Sequence, residues 1–200
     1  MLISFEGIDG SGKSTQIKLL REYLENQQQQ VSVYREPGGV SISEQIRELL
    51  LNQHMEIHPT TELLLFSSAR AQLVAEKVIP DLEEGKIVIL DRFYDSTTAY
   101  QGYGRQNVDL DAIHQINTIA SLGREPDLTF YLRLSWEESK ERTRHLTEDR
   151  MEKAGKDFFK RVILGFDDLS DNLPRFIKID ANKSIQEIHE KILRNLEAIS

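Results

Sequence analysis

The stretch Gly7-Ile8-Asp9-Gly10-Ser11-Gly12-Lys13-Ser14-Thr15 decides how the chain is read. It satisfies G-x-x-x-x-G-K-S/T, a pattern whose backbone N–H groups cradle a phosphate chain. Its flanks agree with the pattern. Leu2-Ile3-Ser4-Phe5 reads as a short strand, and Lys13 to Gln28 reads as a helix with Ile17, Leu20 and Leu24 on one face. A polyanion can be wrapped by backbone only where no Cβ intervenes, and Gly7, Gly10 and Gly12 allow that approach. The helix that follows adds unpaired N–H groups and a positive dipole end. Lys13 supplies a mobile charge for β- and γ-phosphates, and Ser14 a hydroxyl for Mg²⁺. The plainer alternative is a glycine turn before an ordinary helix; the full spacing and both flanks argue against it.

Working outward, strand and helix patterns alternate. Val31-Ser32-Val33-Tyr34 reads as a second strand, running into the turn Arg35-Glu36-Pro37-Gly38-Gly39. Ser41 and Glu44 have capping-box spacing for a helix carrying Ile46, Leu49 and Leu50. After the loop His54 to Pro59, a long helix is expected from Thr60 to Glu84, ended by Gly85. Ile87-Val88-Ile89-Leu90 is the apolar run of a strand buried on both faces. A helix is expected from Asp109 to Leu122 and a strand from Leu128 to Leu134. Ser135 with Glu138 caps the next helix. A helix from Asp157 to Leu173, a strand at Phe176 to Ile179 and a last helix capped by Ser184 and Glu187 complete the pattern. The alternation predicts an α/β, three-layer architecture around a parallel sheet of five strands, with ligands at the carboxyl edge.

Two hundred residues suit one such domain, 1–200. Residues 142–155 are polar and charged and read as a mobile lid, not a boundary. Hydrophobic content of 39% and charged content of 29% are ordinary for a globular chain. Cysteine is absent, which excludes disulfides, thiol nucleophiles and thiolate metal sites. The chain enters its first strand at once and holds no long apolar run, so the expectation is a cytoplasmic protein without a signal peptide or membrane span. A net charge of −8 speaks against a nucleic-acid surface. A phosphate-binding protein of this charge must concentrate its cations locally.

Several residues outside the loop suit such a site. Asp91-Arg92 ends the buried strand; the aspartate can hold Mg²⁺ and the arginine can fork onto a phosphate, or the two can form a strand-end ion pair. Arg35 and Glu36 should reach the same edge, as phosphate fork and carboxylate, unless they are solvated charges of a turn. Phe66 and Arg70 share a helix face, suited to stack on a base and to donate to it, although a phenylalanine after Leu63-Leu64-Leu65 also fits a core. Thr97 and Gln101 are four apart around Tyr100, and a glutamine can match a pyrimidine edge. Arg142, Arg144 and Arg150 repel one another unless an anion gathers them, as a closing lid would. His54 and His58 lack the context of a metal pair.

Taken together these motifs resemble thymidylate kinases of the bacterial kind, a phosphate-loop (P-loop) NTPase fold, over essentially the whole chain. The resemblance rests on the loop, on Arg35-Glu36-Pro37-Gly38-Gly39 and on Asp91-Arg92-Phe93-Tyr94-Asp95-Ser96. It rests further on Ala99-Tyr100-Gln101-Gly102, Pro126-Asp127-Leu128-Thr129 and Asp149-Arg150-Met151-Glu152. It implies transfer of the γ-phosphate of ATP to dTMP with Mg²⁺, on a homodimer. Phe66 would stack on thymine, Arg70, Thr97 and Gln101 would contact the base, and Tyr100 would crowd the sugar's 2′ position. Arg92 and Arg35 would hold the acceptor phosphate, with Asp9 and Glu36 near sugar and metal. The loop residues Gly7 to Thr15, with Ile8, Ser11 and Thr15 contributing backbone, would hold the donor, and Asn182 in Asp180-Ala181-Asn182-Lys183-Ser184 would lie on its adenine side. Lys13, Arg92, Arg150 and Asp9 would be the catalytic group, and Ser14, Asp91 and Glu36 the metal side. Gly10 stands where eukaryotic relatives carry an arginine, so the resemblance implies a lid cation: Arg150, with Arg142 or Arg144. Phe93, Phe166 and Arg133 depart from the usual tyrosine, tyrosine and aspartate.

Two rivals stay open at this point. One is a kinase for another pyrimidine monophosphate such as dUMP, because a methyl group gives only about 1–3 kcal/mol of discrimination. The other is a GTP-binding switch, disfavoured because Asn182-Lys183-Ser184-Ile185 lacks the guanine-reading aspartate.

Overall fold

A computed structural model describes residues 1–145 and 147–198. In chain order the elements are β1 (Leu2–Glu6), α1 (Lys13–Asn26), β2 (Val31–Arg35), α2 (Ser41–Leu51) and α3 (Pro59–Leu73). A π-helical turn, Val74–Val78, leads into α4 (Ile79–Glu83) and β3 (Ile87–Asp91). The short α5 (Tyr94–Thr97) continues as a second π-helical stretch, Thr98–Arg105, before α6 (Leu110–Ala120) and β4 (Leu128–Arg133). Then come α7 (Trp136–Thr143), a 3₁₀ turn at Glu152–Ala154, α8 (Lys156–Asn172), β5 (Phe176–Asp180) and α9 (Ile185–Glu197).

The five strands form one parallel sheet in the order β2-β3-β1-β4-β5. The chain crosses from β1 outward to β2, returns to β3 beside β1, and then builds β4 and β5 on the other side. The crevice at the carboxyl end of β1 therefore opens between β3 and β4, where ligands of open α/β sheets bind. Register fixes what stands there, with Phe5 beside both Asp91 and Phe130 and Arg35 beside Asp91.

Alternation along β3 explains its unbroken apolar run. Ile89 packs into one cluster with Phe5, Phe130 and Phe166, while Val88 and Leu90 pack into another with Leu73, Val78 and Phe93. Both faces of the strand are thus covered by helices. Two of the buried polar side chains inside the sheet, Ser4 and Thr129, share a hydrogen bond of 2.8 Å.

The structure corrects two local expectations. The Ser41–Glu44 capping box does not form, because Val40 is the N-cap. The Glu44 carboxylate instead accepts from the Gly39 N–H at 2.8 Å and pairs with Arg35 at 3.1 Å, donors that outcompete the helix's own first turn. The single helix from Thr60 to Glu84 is interrupted at Val74–Val78. Pro80 supplies the reason: it has no N–H to donate and its ring crowds the carbonyl four residues back, which a π-turn relieves. The capping boxes at Ser135–Glu138 and Ser184–Glu187 form as expected. Within the segment 142–155, α7 extends through Thr143, and residue 146 lies outside the described residues.

Candidate active site

The phosphate loop leaves β1 at Gly7, whose φ is +135°. A Cβ there would stand 2.5 Å from the Leu132 carbonyl of β4, so only glycine lets the loop lie against the neighbouring strand. Gly10, at φ +75°, faces α7: a Cβ would meet Thr143 at 3.1 Å and Arg142 at 3.3 Å. Lys13 is buried and curls over its own loop, donating to the Gly7 carbonyl at 2.9 Å and to Ile8 at 3.2 Å. Burial and the neighbouring Arg92 cation pull its pKa below the ordinary lysine value. Ser14 donates its hydroxyl to Asp91 Oδ2 at 3.3 Å, which places two hard oxygen ligands together at the loop's exit. A cleft opens over this region and reaches Arg35, Arg47, Asp91 and Arg142.

Arg92 turns the chain at the end of β3 with φ +71°, the left-handed region that non-glycine residues rarely occupy. Such backbone strain costs on the order of 1–3 kcal/mol. Its guanidinium bonds to the Gly7 carbonyl at 2.8 Å and to Asp9 Oδ1 at 2.9 Å, and lies 5.2 Å from the Tyr100 ring centroid. Burial works against charge on Asp9, and the Arg92 and Lys13 cations outweigh it, holding the carboxyl below its usual range.

Beyond Arg92 a second cleft of about 620 Å³ is walled by Phe66, Arg70, Tyr100 and Gln101. Arg70 is 2% exposed and is held from three sides. It pairs with Glu36 at 2.7 Å, donates to Thr97 Oγ1 at 3.0 Å and to Asn117 Oδ1 at 3.4 Å, and lies 5.5 Å from the centroid of the Phe93 ring. Glu36 uses one carboxylate oxygen for this pair, while Oε1 is buried without a partner among the described residues. Burial raises the Glu36 pKa, with Arg70 opposing the rise. Asp9, Glu36, Arg47 and Arg92 border both clefts, so a ligand in one meets a ligand in the other across a wall of two carboxylates and two arginines.

Comparison with known proteins gives the family. The family model described as thymidylate kinase matches residues 5–192. The chain is 50% identical to the thymidylate kinase of Chlorobaculum parvum, covering all of this chain and 96% of that one. It is 46% identical to that of a Thermoanaerobacter species, covering 96% and 94%. The crystal structure of thymidylate kinase from Ehrlichia chaffeensis superposes with a TM-score of 0.80 at 37% identity, covering 98% of each chain. The chain belongs to the thymidylate kinase family.

Within this family member, the sequence-expected residues fall into two groups and some outliers. Phe66, Arg70, Thr97, Tyr100 and Gln101 meet in the second cleft, although Thr97 ends α5 and Gln101 sits in the π-helical stretch instead of sharing a regular helix. Asp9, Lys13, Ser14, Asp91 and Arg92 meet at the loop. Arg35 borders the loop cleft and not the Phe66 cleft; it is half exposed and paired with Glu44. Of the three lid arginines, Arg142 reaches the loop, donating to the Gly10 carbonyl at 3.1 Å and to Asn182 Oδ1 at 3.1 Å. Arg144 points to solvent and pairs with Glu141. Arg150 lies elsewhere, bonded to Glu62 at 2.6 Å and to the Leu50 carbonyl at 2.7 Å, because a buried carboxylate attracts it there. Sequence reasoning passed over Arg47, Asn117 and Glu62. Arg47 borders both clefts from α2 and donates to the Pro37 carbonyl at 2.9 Å. The only sequence signal was a charge on a helix next to the Pro-Gly turn. Among the described residues no group of three or more metal-ligating side chains occurs, and no helix is long and apolar enough to cross a membrane.

Proposed function

We propose that the chain transfers the γ-phosphate of ATP to dTMP, releasing ADP and dTDP. The observation that carries this reading is the shared wall: a phosphate-loop cleft and an aromatic, arginine-lined cleft that meet at Asp9 and Arg92. In-line phosphoryl transfer requires donor and acceptor to be fixed end to end and their negative charge neutralised, with no covalent intermediate. The loop N–H groups and Lys13 would hold the donor. Phe66 would cover the base, Arg70 and Gln101 would bond its edge, and Arg92 would hold the acceptor phosphate. Asp9 orients Arg92, keeping its fork aimed along the wall. Arg142 would supply the cation that Gly10 lacks, since it alone of the three lid arginines contacts the loop.

The oxygen pair Ser14–Asp91 suits Mg²⁺, a hard cation that prefers oxygen ligands and keeps several waters. When bound there the ion would add positive charge beside the donor phosphates. Glu36 is the weaker candidate ligand, being committed to Arg70. A homodimer and a cytoplasmic location complete the proposal; Leu64, Ile119 and Leu122, exposed on or just beyond the packed helices α3 and α6, are apolar surface that a second copy could cover.

The test is turnover of ATP with a panel of monophosphates. Stimulation by dTMP well above dUMP and dCMP is expected. GTP hydrolysis without any acceptor would overturn the reading.

A further inference from the structure

Glu62 belongs to no motif used above, yet it is fully buried at the first turn of α3. Four donors converge on its two oxygens. Oε1 accepts from Gln101 Nε2 at 2.9 Å and Arg105 Nε at 3.0 Å; Oε2 accepts from Arg105 Nη2 at 2.9 Å and Arg150 Nη1 at 2.6 Å. Burial disfavours the charge on Glu62, and the bonds from Arg105, Gln101 and Arg150 more than compensate, keeping it ionised. An ionised carboxylate accepts only, so it forces the NH₂ end of the Gln101 amide toward itself. The other end, Oε1, receives no bond from any described residue and is not sealed from solvent, while Gln101 lines the cleft with Phe66 and Arg70.

We propose that Glu62 is a positioning residue for base selection: it locks the Gln101 amide so that the cleft presents a hydrogen-bond acceptor to the pyrimidine edge. The inference rests on the dTMP reading above. A glutamine free to rotate could serve either a donor or an acceptor on the base. A locked one cannot. Thymine and uracil carry a proton at N3 and match the acceptor; cytosine carries a lone pair there and meets oxygen against nitrogen. The arginine network thus sets base preference through one amide, without touching the base.

The decisive variant is Glu62→Gln. Arg105 spans both positions, but Oε2 faces two guanidinium donors, Arg105 Nη2 and Arg150 Nη1, so the oxygen of the new amide goes there. Its NH₂ then faces Gln101, whose own amide turns over and offers NH₂ to the cleft. The readout is kcat/KM for dTMP, dUMP and dCMP, each with ATP. The dTMP-to-dCMP ratio is expected to fall about tenfold or more, the scale of one mispaired buried polar group. The dTMP-to-dUMP ratio is expected to stay unchanged, since both bases carry the N3 proton. A loss of packing alone would lower all three rates and leave both ratios in place, and that result would overturn the proposal. If the wild-type protein does not phosphorylate dTMP, the functional reading fails instead, a result distinguishable from the first.

Should the variant not fold, the wild-type amide answers the same question. In ¹⁵N-labelled protein, the Gln101 side-chain peak is assigned by its loss in Gln101→Met. A ¹H–¹⁵N NOE as high as that of the helical backbone is expected for an NH₂ pinned on Glu62. Values like those of the exposed Gln28 would refute the lock.

Discussion

Arg92 and Asp9 form a 2.9 Å ion pair across the junction of the two clefts, with Arg92 also bonded to the Gly7 carbonyl that opens the phosphate loop. The same arginine sits in left-handed backbone at the end of β3. Strain and charge are thus concentrated in one residue at the place where donor and acceptor meet. Replacing it by alanine should weaken dTMP binding about tenfold or more, as expected for lost charge-assisted hydrogen bonds worth ~1.5–3 kcal/mol. ATP binding should change less. Calorimetric titration with each nucleotide checks this; equal losses would remove Arg92 from the acceptor side.

The backbone gives a separate expectation for the same position. Arg92→Gly removes the guanidinium just as alanine does, but glycine occupies φ +71° without strain. The glycine variant should therefore be more stable than the alanine variant by about 1 kcal/mol. Thermal or urea unfolding of the pair measures it. Equal stabilities would mean that the turn relaxes when the arginine is lost.

Among the described residues Lys13 bonds to two carbonyls of its own loop, which water can serve in its absence. Lys13→Ala should fold, with an unchanged circular dichroism spectrum. Turnover should drop by about 10²–10³, the usual cost of removing a preorganised group that meets developing charge. Turnover close to wild type would sink the phosphate-loop assignment.

The strands and the loop were readable because their signals are local. The apolar run Ile87–Leu90 and the spacing from Gly7 to Thr15 need no knowledge of distant residues. The Ser41–Glu44 cap failed for the opposite reason: Gly39 and Arg35, outside the helix, claim the carboxylate. The same holds at the site. Phe66 and Arg70 were visible as a helix face, whereas Glu62 and Asn117 became meaningful only when tertiary contacts joined Glu62 to Gln101 and Arg105, and Asn117 to Arg70, over separations of 39 to 47 residues. Arg150 was expected beside the loop from its place in the lid; a buried carboxylate holds it instead. Partner choice among several arginines is a three-dimensional competition that sequence spacing does not encode.

Arg142 bridges the loop and the segment after β5, donating to Gly10, Ala181 and Asn182. Arg142→Met keeps the length of the side chain and removes the charge. It should raise KM for ATP about tenfold, the scale of a charged hydrogen bond, and leave KM for dTMP nearly unchanged. Steady-state kinetics with each substrate varied in turn separate the two. A rise confined to dTMP would move Arg142 out of the donor half.

Glu6 lies wholly buried at the end of β1, accepting from the Phe93 N–H at 2.8 Å and bonded to Ser96 Oγ at 2.5 Å. Burial, reinforced by the nearby Asp95 carboxylate, pushes its pKa from 4.5 up to about 8. A folded-state pKa above the unfolded value means the native protein holds a proton that the unfolded chain has released. The associated stability is complete below about pH 4.5 and is lost as pH rises through about 8. Within that window the slope contributed by Glu6 is at most about 1.4 kcal/mol per pH unit. Glu6→Gln imitates the protonated acid, since its amide can still accept from Phe93 and donate to the Ser96 hydroxyl. Urea unfolding from pH 5 to 8 should show wild-type stability falling faster than that of the variant, with the curves diverging toward pH 8. Parallel curves would mean that Glu6 is ionised in the folded protein throughout, and that its hydrogen bonds with Ser96 and Phe93 are those of a carboxylate.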